Sequence, residues 1–112
     1  MEHRIKVLAR RKLKMSPGKL AAQAIHATLA LDASLGGPER YLDPMMSVIV
    51  LEVSDAKFKA AKDEMEKAQI TFSVIKDAGY TEVAPGTETV LAFVEDDPRC
   101  TSDGQSVSGD PK

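Results

Sequence analysis

Ser47-Val48-Ile49-Val50-Leu51-Glu52-Val53, running straight into Ser54-Asp55, is the stretch on which the fold turns. A nearly continuous β-branched run reads as a strand covered on both faces. Ser54 or Asp55 then caps a helix reaching about Gln69, with Phe58, Ala61, Met65 and Ala68 on one stripe and Lys and Glu outside it. A strand that passes directly into an amphipathic helix is half of a β-α-β unit, whose right-handed crossovers place helices on the sheet faces.

Toward the N-terminus, Arg4 to Arg10 alternates imperfectly between charged and apolar residues and reads as a first strand. Ser16 suits an N-cap and Pro17 the first helical position, where its missing N–H is harmless. That helix should run to about Ser34 and stop at Gly36-Gly37-Pro38. Residues 36–46 are then a connector, with room for a helical turn around Glu39 to Leu42. Toward the C-terminus, Thr71 to Lys76 and Glu88 to Val94 are strands separated by the loop Asp77 to Thr87. The order is β-α-β-α-β-β, and the short last connection implies an antiparallel pair. The expectation is one α/β domain over residues 1–98, a four-stranded mixed sheet with helices on both faces. Residues 99–112 are rich in Asp, Ser and Gly with almost nothing apolar, and are expected to form a disordered tail.

Composition agrees with one globular domain: 112 residues, 43% hydrophobic and 29% charged. There is no Trp, so the core must be aliphatic. No stretch approaches the roughly 20 apolar residues of a membrane span, so no membrane partner is expected. The N-terminus lacks the basic-then-apolar run of a signal peptide. Lone Cys100 cannot form an internal disulfide, which points to a reducing cytoplasm. The net charge of -2 hides an asymmetry: Arg4, Lys6, Arg10, Arg11, Lys12, Lys14 and Lys19 face a single Glu2 in residues 1–19. Such a stripe can engage phosphates, or it can be a solvated strand edge guarded against aggregation; charge alone favours the second.

Chemistry concentrates in two places. At 100° per residue, Lys19, Gln23 and His26 fall within a wedge of about 60° on the first helix. The other positions are almost all apolar, which reads as a buried helix aiming one polar wedge at partners or at a wet cleft. Spacing alone leaves a second reading open, with Lys19 and Gln23 on the surface and His26 satisfied in the core. The second place is the loop after Asp77, where Gly79 and Pro85-Gly86 impose special backbone geometry beyond a strand's carboxyl end. The hydroxyls of Thr81, Thr87 and Thr89 lie there to serve a ligand or their own loop.

Several chemistries drop out. Ser16-Pro17-Gly18-Lys19 resembles the end of a phosphate-binding loop, but Leu13 stands where that loop needs Gly, and Leu20 where it needs Ser or Thr. His3, His26 and Cys100 lack metal-ligand spacing, so no metal or cofactor is expected. Cys100 is poorly placed for a nucleophile, and no Ser occupies a nucleophile elbow.

At these residues the chain resembles the type 2 (archaeal and eukaryotic type) peptidyl-tRNA hydrolases. Leu13-Lys14-Met15, Gly18-Lys19-Leu20-Ala21-Ala22-Gln23 and His26-Ala27 are similar to that family's L-x-M-x-x-G-K-x-A-A-Q-x-x-H-A. Asp77 to Leu91 is similar to its D-A-G-x-T-x-x-x-P-G-[TS]-x-T-V-L. The likeness spans residues 4–94 and implies the same mixed sheet. It also implies hydrolysis of the ester joining a peptide to the terminal ribose of tRNA. The implied catalytic group is Lys19, Gln23, His26, Asp77, Thr81 and Thr89. Arg10, Arg11, Lys12, Lys14, Tyr80 and Thr87 are the expected tRNA contacts. Lys19→Ala and Asp77→Ala are each expected to abolish most turnover with little effect on stability. The family usually has Asp at the position of Lys12, a small polar residue at Ile25 and a basic one at Tyr80, and its apolar last segment is here the polar tail. The expected partner is tRNA, with a homodimer also allowed for. The alternative is a non-catalytic module of the same fold that binds tRNA or a protein.

Overall fold

The computed structural model describes residues 3–35, 45–77 and 86–96. The elements are β1 (His3–Arg10), a 3-10 turn (Arg11–Leu13), α1 (Pro17–Leu35), β2 (Ser47–Val53), α2 (Asp55–Ala68), β3 (Phe72–Lys76) and β4 (Glu88–Asp96). The expected connector around Glu39 to Leu42, most of the Asp77–Thr87 loop and the segment after Asp96 lie outside the described residues.

The four strands form one sheet in the order β2-β1-β4-β3. β1 runs parallel to β2 and antiparallel to β4, which is antiparallel to β3. The mixed sheet is therefore as expected. The carboxyl ends of β1, β2 and β3 all meet one edge, where the amino end of β4 also lies.

The helices take opposite faces. Ile5, Val7, Ala9, Val90 and Ala92 pack against Ala27 and Leu31 of α1. Leu8, Val53, Leu91 and Phe93 pack against Phe58 and Met65 of α2. Val7, Leu31, Val90 and Leu91 are fully buried, each contributing about 1.5–3 kcal/mol. Local signals set the helix ends. Ser16 Oγ accepts the Lys19 N–H at 3.2 Å, and Ser54 Oγ that of Lys57 at 3.1 Å. Gln69 closes α2 in the left-handed region, at φ 59°.

Two expectations from composition are corrected. β2 is not covered on both faces. It is an edge strand, with Val48, Val50 and Leu51 exposed. β-branched residues suit any pleated strand, so the run could not separate a central position from an edge. Nor is α1 buried all round: Ile25 and Leu29 lie exposed on its outer side. Its buried stripe is Gln23, Ala27 and Leu31, one residue per turn. A glutamine therefore sits on the core-facing side, which is where the site is built.

Candidate active site

α1 begins just after the carboxyl end of β1, so the Ser16 cap places Lys19 in the first helical turn, beside the sheet edge. A cation at the positive end of a helix is unfavourable unless an anion stands close. Asp77, directly after β3, provides it: Lys19 Nζ lies 2.5 Å from Asp77 Oδ1. The side chains are 11% and 5% exposed, a nearly enclosed ion pair. The Asp77 backbone is fixed as well. Its N–H donates to the Thr87 carbonyl at 2.8 Å, and its carbonyl accepts from Gly86 N–H at 2.7 Å. Gly86 has φ 81°, a conformation that favours glycine, as the sequence pattern at Pro85-Gly86 led one to expect just before β4.

One turn along α1, buried Gln23 begins a chain of hydrogen bonds. Its Nε2 donates to Thr89 Oγ1 at 2.8 Å, and the Thr89 hydroxyl donates to the Ile75 carbonyl at 3.3 Å. Gln23 Oε1 lies 3.2 Å from His26 Nδ1. Because an amide oxygen only accepts, the proton of that bond is on Nδ1. His26 is otherwise exposed, so it is neither a core histidine nor enclosed with the lysine.

Thr89 reaches α1 through an irregularity in the sheet. Lys76 pairs with Glu88 and Ile75 with Val90, so Thr89 is an extra residue, a β-bulge. Strict alternation would turn Thr89 away from Val90, toward α2. Instead Val90 packs with α1 and Thr89 bonds Gln23 on the same face. The sequence carries no mark of the bulge.

Of the expected catalytic group, Lys19 and Gln23 in the first two turns of α1 are joined to Asp77 and Thr89, and the backbone of Thr87 holds Asp77; His26, midway along α1, meets the group only through Gln23. Thr81 and Tyr80 lie outside the described residues. Arg11, Lys12 and Lys14 are exposed in and just after the 3-10 turn that precedes α1. Arg10 is differently placed. Its guanidinium holds both carboxylate oxygens of Asp55, at 2.9 and 3.1 Å, and the Glu88 carbonyl at 2.8 Å. Lys62 holds the Glu88 carboxylate at 2.9 and 3.1 Å. The Arg10–Asp55 hydrogen bonds push Arg10 above its ordinary pKa and Asp55 below its own. This cluster was missed by sequence reasoning, which took Asp55 as a helix cap only; no spacing relates residues so far apart.

A cleft of about 320 Å³ lies on this α2 side, lined by Arg10, Asp55, Phe58, Lys59, Lys62, Asp63 and Glu88. Its charges pair with one another (Arg10 with Asp55, Lys62 with Glu88, Lys59 with Asp63), and Lys19 and Asp77 are not among its walls. Among the described residues no group of three or more His, Cys, Asp or Glu is arranged to hold a metal ion. Nor is any described helix long and apolar enough to cross a membrane.

Helix, sheet and helix in three layers, with a lysine–carboxylate pair beyond the carboxyl ends of parallel strands, define an α/β protein with an enzyme-like site. The comparisons name the class. Residues 4–101 match the model of the peptidyl-tRNA hydrolase PTH2 family. The chain is 37% identical over 93 residues to a peptidyl-tRNA hydrolase of Haloquadratum walsbyi, covering 80% of this chain and 83% of that one. It is 39% identical over 93 residues to one from Thermococcus sibiricus, covering 78% and 79%. A solved protein of unknown function from Agrobacterium tumefaciens shares the fold, with TM-score 0.55 and 12% identity over 86% of this chain and 88% of that one. This chain belongs to the type 2 peptidyl-tRNA hydrolase family.

Proposed function

We propose that the chain hydrolyses the ester between a peptide, or an N-blocked aminoacyl group, and the terminal ribose of tRNA, with Lys19, Gln23, His26, Asp77, Thr81 and Thr89 as its catalytic group. The observation that carries the assignment is the Lys19–Asp77 pair beside the Gln23–Thr89 bond, at the start of α1, in a member of this family. Water attacks the ester carbonyl directly; the new bond joins its oxygen to the carbonyl carbon. The bond to the ribose oxygen then breaks, and that oxygen takes up a proton. Asp77 orients the water and holds the ammonium of Lys19 in place. Lys19 and the helix N-terminus stabilise negative charge on the carbonyl oxygen. Gln23 and the threonines hold polar groups of the substrate.

Arg11, Lys12 and Lys14 lie where tRNA phosphates can approach the mouth of the site, with Tyr80 stacking on a terminal base and Thr87 beside it. The setting is the cytoplasm, where the substrate is. Exposed Val48, Val50 and Leu51 on the edge strand support a homodimer through β2, which light scattering would test.

The deciding experiment is hydrolysis of N-acetylaminoacyl-tRNA by the wild type and by Lys19→Met and Asp77→Asn. Each variant should lose at least about 100-fold in turnover. Each should also lose stability, contrary to the expectation from sequence, because one charge of an enclosed pair is orphaned. The loss should be about 1–3 kcal/mol, less than the ~3–5 of a fully buried pair, since both side chains keep some contact with solvent. A wild type that binds tRNA without cleaving it would instead make the chain a binding module.

A further inference from the structure

We infer that Arg10 is a positioning residue for the hydrolysis, acting from the opposite face of the sheet by clamping the β-bulge that aims Thr89 at Gln23. The inference rests on the catalytic reading above and adds to it a residue that never touches the substrate.

A bulge is a weak point in a ladder, because the extra residue has no partner strand to hold it. In β4 the residue beside that point is Glu88, and it is tied twice. Its carbonyl accepts from Arg10 Nη1 at 2.8 Å, and its carboxylate takes Lys62 Nζ at 2.9 and 3.1 Å. Arg10 is itself immobilised, since Nε and Nη2 grip both oxygens of Asp55 at the start of α2. A planar guanidinium with three donors engaged on two rigid elements fixes position more tightly than a single ammonium contact. The clamp therefore sets where Glu88 lies between β1 and α2.

Its consequences appear on the other face. Thr89 follows Glu88 and receives the Gln23 amide; Thr87 precedes it and accepts the Asp77 N–H at 2.8 Å. Both bonds that place site side chains on β3 and α1 thus run through the neighbours of one clamped residue. Ala9 packs on α1, so alternation turns Arg10 toward α2. From there it can reach the site only through the backbone. The same geometry removes Arg10 from the phosphate-binding stripe, because its donors are directed inward at Asp55 and Glu88.

The test compares Arg10→Met, Arg10→Lys and Lys62→Met with the wild type, at a temperature where ellipticity shows all to be fully folded. For Arg10→Met, kcat should fall by roughly 10- to 100-fold, as a displacement of about 1 Å at a reacting centre does. KM and the salt dependence of tRNA binding should stay at wild-type values. Arg10→Lys should rescue little, because an ammonium cannot bridge Asp55 and the Glu88 carbonyl together. Lys62→Met should lower kcat in the same manner but less. A second readout needs no turnover: by NMR, the Gln23 side-chain amide and the Asp77 backbone amide should lose exchange protection in Arg10→Met, while those of Ala27 and Leu31 keep theirs. A raised KM with a flattened salt slope, rescued by Arg10→Lys, would make Arg10 a phosphate contact and overturn the inference. So would unchanged protection at Gln23 and Asp77. An inactive wild type with the expected loss of protection would refute the catalytic reading and leave the clamp standing.

Discussion

Replacing Thr89 by Val tests whether the Gln23–Thr89 bond is the buried hinge of the site. Thr89 is fully buried, and Val has nearly its shape, so the change removes a hydroxyl and little packing. It leaves the Gln23 Nε2 donor without its partner in an enclosed position, a cost of about 1–3 kcal/mol. The Ile75 carbonyl also loses a partner, but at 3.3 Å that bond is long and its loss minor. An overall loss near 2 kcal/mol would lower Tm by about 8–16 °C in a domain of this size. Gln23→Met should cost less, about 1 kcal/mol, since Met fills a similar volume and exposed His26 can turn to water. In the double variant no buried amide remains to be satisfied. Its loss should therefore lie nearer to that of Gln23→Met alone than to the two losses together, giving a coupling of roughly 1–2 kcal/mol. Urea unfolding followed by far-UV ellipticity, at constant m-value, measures all four corners of the cycle. Additivity within about 0.5 kcal/mol would mean that the two side chains are not coupled, and the reasoning about the bulge would fail with it.

Binding of tRNA should weaken with salt at a logarithmic slope of about -2 to -3, if Arg11, Lys12 and Lys14 each displace a counterion. Arg11→Ala with Lys12→Ala should flatten that slope by about 1–2 while kcat holds, and an unchanged slope would return the stripe to the role of a solvated edge. Asp55 is held below the ordinary carboxylate pKa chiefly by its hydrogen bonds to Arg10, so the pair's contribution to stability is complete above the unfolded value and lost as pH falls through the lower folded one. Asp55→Asn should consequently be destabilised by a constant amount from about pH 5 to 8, with the gap to wild type closing below about pH 4; a gap that widened in acid would contradict that sign. Truncation after Pro98 should leave Tm and turnover intact, because a segment so poor in apolar residues cannot offset about 1–2 kcal/mol of ordering entropy per residue. A large loss of either would place that segment in the fold.

Element order was legible because each signal was local. Ser16-Pro17 opened α1, Ser54 opened α2, and the antiparallel pairing of β3 and β4 followed from a loop too short for a crossover. Burial was less legible because it depends on what lies alongside. The run Ser47–Val53 has the same composition whether β2 is central or at the edge, and the sheet order decides. In α1 the many alanines made every side look apolar. Yet the packed stripe is the one through Gln23, and Ile25 and Leu29 were left outside. Periodicity located the polar wedge and not its partners. The hydrogen bonds that make it a site cross from α1 to Asp77 and Thr89, positions no repeat relates to it.

The bulge is where local reasoning ends and the two faces of the sheet become one device. With unbroken alternation, Thr89 would face α2 beside Leu91, and the Gln23 amide would lack its buried acceptor. The inserted residue corrects the phase, so that Thr89 and Val90 both serve α1 while Glu88 serves α2. A disturbed ladder needs compensation, and here the charges on the α2 side provide it. Arg10, Asp55 and Lys62 surround the one residue whose displacement would shift both Thr87 and Thr89. The basic stripe that sequence left between phosphate contact and solvated edge thus divides by strand phase. Arg10, last in β1 and turned inward, supports the geometry of the site. Arg11, Lys12 and Lys14, in and just after the turn that follows, are exposed, as the proposed contacts to tRNA phosphates require.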